Sequence, residues 1–271
     1  MTDADGRSPL LEFDVGNTRL KWRLRDNAVG KVLGAGALVH ADYDDCAQLL
    51  AVIKQEVDVQ IGRAPSGLWV ASVASDAIAG AIDVWARDHY GLAPEFARVS
   101  RRAAGVTVGY EEHHRLGVDR WLAVLAASVR SPQGALVVDC GSAITVDVLH
   151  GQDHRGGYIV PGLRLMRGAL FRETEQVKVA EVALGDDARP GRVTEEAVDH
   201  GLPLMAAGLV VEVLDRLKKN AWGWGGWSGP VYLTGGDAAV IAPLLGEHQV
   251  YRAPDLVLDG LSLAEREEIK D

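Results

Sequence analysis

Cysteine, phenylalanine and methionine are scarce in this 271-residue sequence, with two, three and three of each. Cys46 and Cys140 lie far apart and offer neither a metal-ligand spacing nor a disulfide framework. A reducing, cytoplasmic setting is therefore expected. Positive charge is also short, with 28 Lys and Arg against 38 Asp and Glu. The formal net charge of −10 argues against nucleic acid as a main partner, because a phosphate backbone demands a basic face. A nucleotide stays open, since local donors and a metal hold it rather than global charge. No apolar run reaches the roughly 20 residues of a spanning helix, so no membrane partner is expected. The opening MTDADGRSP lacks a basic-then-apolar leader pattern and is expected to be a flexible tail over residues 1–9.

What is there is a globular composition, 48% hydrophobic and 24% charged, long enough for one large domain or two moderate ones. Leu10 to Val15 reads as a buried strand. After Gly16-Asn17-Thr18, the residues Leu20, Trp22 and Leu24 alternate with Arg19, Lys21, Arg23 and Arg25, the period of a half-exposed strand. The turn thus joins strand to strand, whereas a P-loop or dinucleotide fingerprint leads into a helix. Ala41 to Val57 and Ala77 to Tyr90 carry helical spacing, with Leu68 to Val73 a strand between them, and a further helix starts near Gly117. ALVVDCGSAITVDVL, from Ala135 to Leu149, repeats the opening arrangement: strand, Asp139, the small-residue turn Gly141-Ser142-Ala143, strand. A duplicated α/β architecture is expected, with halves 10–130 and 131–271 packed around a central cleft.

Several segments can carry chemistry. The turns after Asp14 and Asp139 combine glycines, which allow close backbone approach, with carboxylates suited to a Mg²⁺ held through oxygen or water. Thr234-Gly235-Gly236 offers a third close-approach turn. One such turn alone is ordinary hairpin chemistry; two in register favour phosphate binding. In YEEHHRLGVDR, Tyr110 to Arg120, the pair Asp119-Arg120 opens a helix. Spacing alone slightly favours a helix-terminus role for Asp119 over a base for a substrate hydroxyl. Gly156-Gly157 suggests a turn where a backbone or ligand comes close. AWGWGGWSGP, from Ala221 to Pro230, precedes a strand rather than following one, and reads as a packed loop or an interface edge.

Taken together, DVGNTRLK, the Tyr110…Gly117-Val118-Asp119-Arg120 segment, DCGSAIT and GGYIVPGLRLM resemble the type III pantothenate kinases. That family includes chains labelled Bvg accessory factor and belongs to the acetate and sugar kinase, Hsp70 and actin superfamily. The resemblance runs from Asp14 to Asp237. It implies duplicated actin-like (ribonuclease H-like) ATPase domains and phosphorylation of pantothenate by ATP with Mg²⁺. It further implies that Asp14, Val15, Gly16, Asn17, Thr18, Arg19, Leu20 and Lys21 form the ATP hairpin, with Asp14 on the Mg²⁺ side. Ser142 contacts ATP. Tyr110, Gly117, Val118, Asp119, Arg120 and Thr194 line the substrate site, Asp119 being the catalytic base. Asp139 binds a monovalent cation, K⁺ or NH4⁺, and the active form is a homodimer. One departure stands out: Ser142 occupies a place where most relatives have threonine, and serine keeps the hydroxyl and loses only a methyl. The rival expectations are an ATP-binding accessory regulator of transcription without catalysis, or another small-molecule kinase of the same superfamily.

Overall fold

The computed structural model describes residues 8–62, 64–173 and 189–269, so residues 1–7 of the expected tail lie outside the described residues. Of the described residues, one compact unit takes those up to Ala103, Glu112–Ala123 and those from Val257 onward. The other takes Ala104–Glu111 and Val124–Leu256. A single cut near residue 130 does not describe this division, because the chain returns to the first unit at its C-terminal end.

The first unit opens with β1 (Leu10–Val15), β2 (Arg19–Arg25) and β3 (Val32–Val39), an antiparallel succession. Then come α1 (Cys46–Ile61), β4 (Gly67–Ser72), α2 (Asp76–Tyr90), β5 (Glu95–Arg98) and the two-residue β6 (Arg102–Ala103) at the chain's passage to the second unit. β4 runs parallel to β1, and β5 parallel to β4. Because strand side chains alternate, Leu11, Phe13 and Val15 share one face and are fully buried. They form a core with Leu49, Leu50 and Ile53 of α1 and Ile82 and Trp85 of α2. α1 begins at Cys46, later than the spacing from Ala41 predicts, because the Asp45 carboxylate accepts the Gln48 N–H and caps the helix there. It runs on past Val57 to a left-handed Gly62.

Glu12 and Asp14 share the opposite face of β1. Glu12 is fully buried and accepts from Arg23 at 2.7 Å and Arg25 at 2.8 Å. Arg23 also reaches Asp259, at 2.6 Å, on the returning C-terminal segment. A buried charge is costly unless paired, so this network ties the segment's position to the first hairpin.

α3 (Val118–Arg130) leads from the first unit into the second. The second unit contains β7 (Val106–Thr107), β8 (Gly134–Cys140), β9 (Ala143–His150), β10 (Asp153–Pro161), α4 (Leu163–Glu173) and α5 (Thr194–Lys218). It continues with β11 (Val231–Thr234), α6 (Ala238–Ile241) and β12 (Val250–Arg252). α7 (Leu256–Gly260) and β13 (Glu265–Glu268) close the chain, and β13 pairs with β5. The topology repeats: β13-β5-β4-β1-β2-β3 in the first sheet, and β12-β11-β8-β9-β10 with β7 beyond in the second. In each, three antiparallel strands are followed by a strand parallel to the first. Duplication, expected from two short motifs, thus extends to whole sheets.

Three expectations need correction or refinement. Gly156-Gly157 is no turn: both residues lie in β10, at a register shift between His154 and Gly157, with Gly156 at φ +92°. α5, at 25 residues, is long and apolar enough to pass as a spanning helix, a length that inspection of apolar runs alone missed. It nonetheless buries Val210, Val213, Leu214 and Leu217 in the core of the second unit. The Trp-rich segment is a packed loop, with Trp222 and Trp224 stacked at 4.8 Å and Trp227 buried.

Candidate active site

Antiparallel pairing of β1 with β2 sets Asp14 opposite Lys21 and Val15 opposite Leu20. Val15 and Leu20 are core side chains, so only their main chain can serve a ligand. Asp14 and Lys21 face away from that core and approach to 3.7 Å, with 14% of the Asp14 side chain exposed. Burial pushes the Asp14 carboxyl up to about 6, and the Asp119 charge pushes the same way, against Lys21 and Arg19. Ionised Asp14 is therefore short of positive charge.

The turn beyond is closed by Gly16 N–H donating to the Arg19 carbonyl at 3.0 Å. His40 braces it twice. Its ring Nε2 donates to the Gly16 carbonyl at 2.9 Å, and its main-chain N–H donates to the Thr18 carbonyl at 2.9 Å. Asn17 and Thr18 are exposed. A Cβ on Gly16 would meet nothing nearer than the Arg19 carbonyl at 3.5 Å, so the protein's own packing does not demand glycine there.

Asp119 stands in the first turn of α3, where the helix dipole favours a carboxylate. Its Oδ1 accepts the Arg120 N–H at 2.8 Å, and the carboxylate lies back over Gly117, where a Cβ would be 2.5 Å from that oxygen. Gly117 also accepts the Trp121 N–H through its carbonyl. Glycine at 117 is thus required by the placement of Asp119. Arg120 is buried and Val118 partly so. The first unit brings Asp119 within electrostatic reach of Asp14, which lies 105 positions earlier and already pairs with Lys21.

The second hairpin sets Asp139 opposite Thr145, with Gly141 N–H donating to the Ala143 carbonyl at 3.0 Å. This turn is backed by main chain rather than by a histidine. Gly162 N–H donates to the Ser142 carbonyl, and a Cβ at Gly162 would fall 2.3 Å from the Gly141 carbonyl oxygen. β11 runs parallel to β8, pairing Thr234 with Asp139, so the Gly235-Gly236 turn and the Gly141 turn meet at the carboxyl ends of adjacent strands. Asp237 N–H donates to the Cys140 carbonyl at 2.9 Å. Gly235 has φ +87°, and a Cβ there would sit 2.4 Å from Asp139 Oδ1 and 2.5 Å from the Cys140 main chain. The protein itself requires this glycine. Burial, aided by the Asp139 and Asp237 charges, pushes the Cys140 thiol up, so it stays protonated.

The remaining predicted residues are spread between the units. Ser142 and Thr194 are exposed on the second, Thr194 opening α5. Tyr110 also belongs to the second unit, whereas Gly117 to Arg120 belong to the first. Among the described residues, no three His, Cys, Asp or Glu side chains form a metal cage. Asp14 offers a largely buried carboxylate, the kind of oxygen donor that Mg²⁺ takes. Sequence reading missed His40, since nothing marks a histidine 24 positions away as the brace of a turn. It also missed the buried pair His154–Asp147 beside Tyr110, at 2.8 Å.

A family model described as type III pantothenate kinase matches residues 10–216. The chain is 35% identical over 260 residues to a type III pantothenate kinase of Azotobacter vinelandii, covering 94% of this chain and 98% of that one. It is 39% identical over 262 residues to one of Chromohalobacter salexigens, covering 93% and 85%. Among solved structures, MreB 5 of Spiroplasma citri bound to AMPPNP shares the actin-like fold at a TM-score of 0.50 and 10% identity, over 95% and 96% of the two chains. By the extent of these matches, the chain belongs to the type III pantothenate kinase family.

Proposed function

We propose that the protein transfers the γ-phosphoryl group of ATP to the primary hydroxyl of pantothenate, giving 4′-phosphopantothenate for coenzyme A biosynthesis, in the cytoplasm. The observation that carries the reading is that two carboxylates of the first unit, Asp14 and Asp119, feel each other's charge while standing in different settings. Asp14, held up at about 6 by burial and by Asp119, gains from a cation. Asp119, at the helix start with one oxygen on the Arg120 N–H, is the carboxylate left to take a proton.

In this mechanism Gly16, with no side chain in the way, lets phosphate oxygens approach the Asn17 and Thr18 main chain, with Lys21 adding charge. Ser142 contacts ATP on the second unit. When bound, Mg²⁺ neutralises phosphate charge; Asp14 orients it. Asp119 accepts the substrate hydroxyl proton as the oxygen forms its bond to the γ-phosphorus and the bond to ADP breaks. Arg120, Tyr110, Gly117, Val118 and Thr194 bind pantothenate. Asp139 would hold a monovalent cation, K⁺ or NH4⁺. Catalysis here rests on positioning and charge stabilisation rather than on covalent chemistry.

The active form is a homodimer. Support comes from large apolar side chains left exposed on the second unit: Tyr158 and Ile159 on β10, Leu165 on α4, Leu204 and Met205 on α5. The test is ADP release by the purified protein with Mg²⁺-ATP, with and without pantothenate and K⁺. Pantothenate-dependent release with 4′-phosphopantothenate as product is the expected result. Release independent of pantothenate would point to another kinase or ATPase, and no release to an accessory regulator.

A further inference from the structure

We infer that Asp147 and His154 are positioning residues for the substrate, a buried pair that fixes the ring of Tyr110; the inference rests on the reading of Tyr110 as a pantothenate contact. Neither residue is used by the mechanism above, and both are ionisable groups almost wholly removed from solvent. Such groups are poor core material, because desolvation penalises them unless every polar atom is satisfied. Here the satisfaction has a direction. His154 Nε2 lies 2.8 Å from Asp147 Oδ1, and Nδ1 lies 3.4 Å from the Gly109 N–H. An amide N–H can only donate, so Nδ1 is the acceptor and the ring proton sits on Nε2, facing Asp147. The pair therefore selects one tautomer and one ring orientation. On that ring lies Tyr110, near-parallel at 16° with centroids 6.0 Å apart.

The surrounding backbone converges on the same few residues. Asp153 of β10 pairs with Thr107 of β7, and Thr107 N–H donates to the Gln152 carbonyl at 2.9 Å. Two residues on, Gly109 lies so flat on β10 that a Cβ would come 2.1 Å from the His154 carbonyl oxygen. The register shift after His154, with Gly156 at φ +92°, lies at the point where that imidazole turns inward. Main chain thus delivers residues 107–109 to β10, and the imidazole sets where the next side chain stands.

The test is a double-mutant cycle of steady-state kinetics on the full chain: His154→Phe, Tyr110→Ala and both together. Phenylalanine keeps a ring for stacking and removes both hydrogen bonds. His154→Phe is expected to raise the pantothenate KM about tenfold, the scale of one or two lost hydrogen bonds, with kcat and the ATP KM within about twofold. In the Tyr110→Ala background the same change is expected to add little, since residues acting as a unit are non-additive. An unchanged pantothenate KM, an equal rise in the ATP KM, or full additivity would overturn the inference. A wild-type pantothenate KM in Tyr110→Ala would instead overturn the reading of Tyr110, and the inference with it. Should His154→Phe fail to fold, Asp147→Asn keeps an acceptor oxygen on Nε2–H and is read by the same cycle. Its expected rise is about threefold, with the same non-additivity.

Discussion

The two hairpins, β1–β2 and β8–β9, follow one plan and are held by different means. Each ends its first strand on an aspartate, turns through a glycine whose N–H closes the turn, and returns antiparallel. Two positions before the aspartate, each also has a buried polar partnership on the same sheet face. In the first, Glu12 pairs with Arg23 across the strands. In the second, Val137 stands opposite Asp147, which pairs with His154. The first turn is braced by a side chain, His40, and its glycine has room for a Cβ. The second is braced by Gly162 and Gly235, where a Cβ has no room. Duplication therefore preserved the aspartate-and-turn geometry, while the support behind each turn diverged.

That comparison can be broken at several points. The largest expected effect comes from Asp119→Asn, which removes the proposed proton acceptor and leaves the helix-start geometry. Turnover should fall by about 10²–10⁴-fold, the usual worth of a general base, with an unchanged thermal midpoint. Next, Gly235→Ala places a methyl against the Cys140 main chain at a positive φ, and should cost on the order of 2–3 kcal/mol in urea unfolding. Gly16→Ala should leave stability within roughly 0.5 kcal/mol yet raise the ATP KM, because the space it fills is the one proposed for the phosphates. Equal destabilisation by the two alanines would remove the contrast between the turns.

Asp14 gives a smaller, pH-dependent effect of opposite sign. Its folded carboxyl sits at about 6 against 3.8 unperturbed, so between those values the folded protein binds more protons than the unfolded chain. Stability from this group consequently falls as pH rises through that window, and the deficit stays above it. Asp14→Asn removes the deficit but also the Lys21 ion pair, so a gain of about 1–2 kcal/mol at pH 8, absent at pH 4, is expected by chemical denaturation without ligands. His40→Ala should lose about 1 kcal/mol and give a modestly higher ATP KM as the first turn loosens.

Much of this was legible in the sequence, for identifiable reasons. Leu10 to Val15 and the alternation from Leu20 to Leu24 fixed the first hairpin, because a strand's period of two is strong where one face is buried. The recurrence at Asp139 gave the duplication, and local motifs gave the candidate residues. What was hidden depends on contacts remote in sequence. Gly156-Gly157 looks like a turn, yet a register shift set by pairing with β9 keeps it inside a strand. His40, His154 and Asp147 carry no local pattern, and their roles appear only once strands place them against a turn or a tyrosine. The return of the C-terminal segment to the first unit rests on β13 pairing with β5 and on Asp259 meeting Arg23, a contact 236 positions apart.

The central claim is that Asp14 serves the cation side of the nucleotide while Asp119 serves the proton. It is tested most directly by calorimetric titration of Mg²⁺-ATP into Asp14→Asn and Asp119→Asn side by side. The account predicts near wild-type affinity in Asp119→Asn and a loss of about tenfold or more in Asp14→Asn, the scale of one charge-assisted contact. Intact affinity in Asp14→Asn together with lost affinity in Asp119→Asn would contradict it.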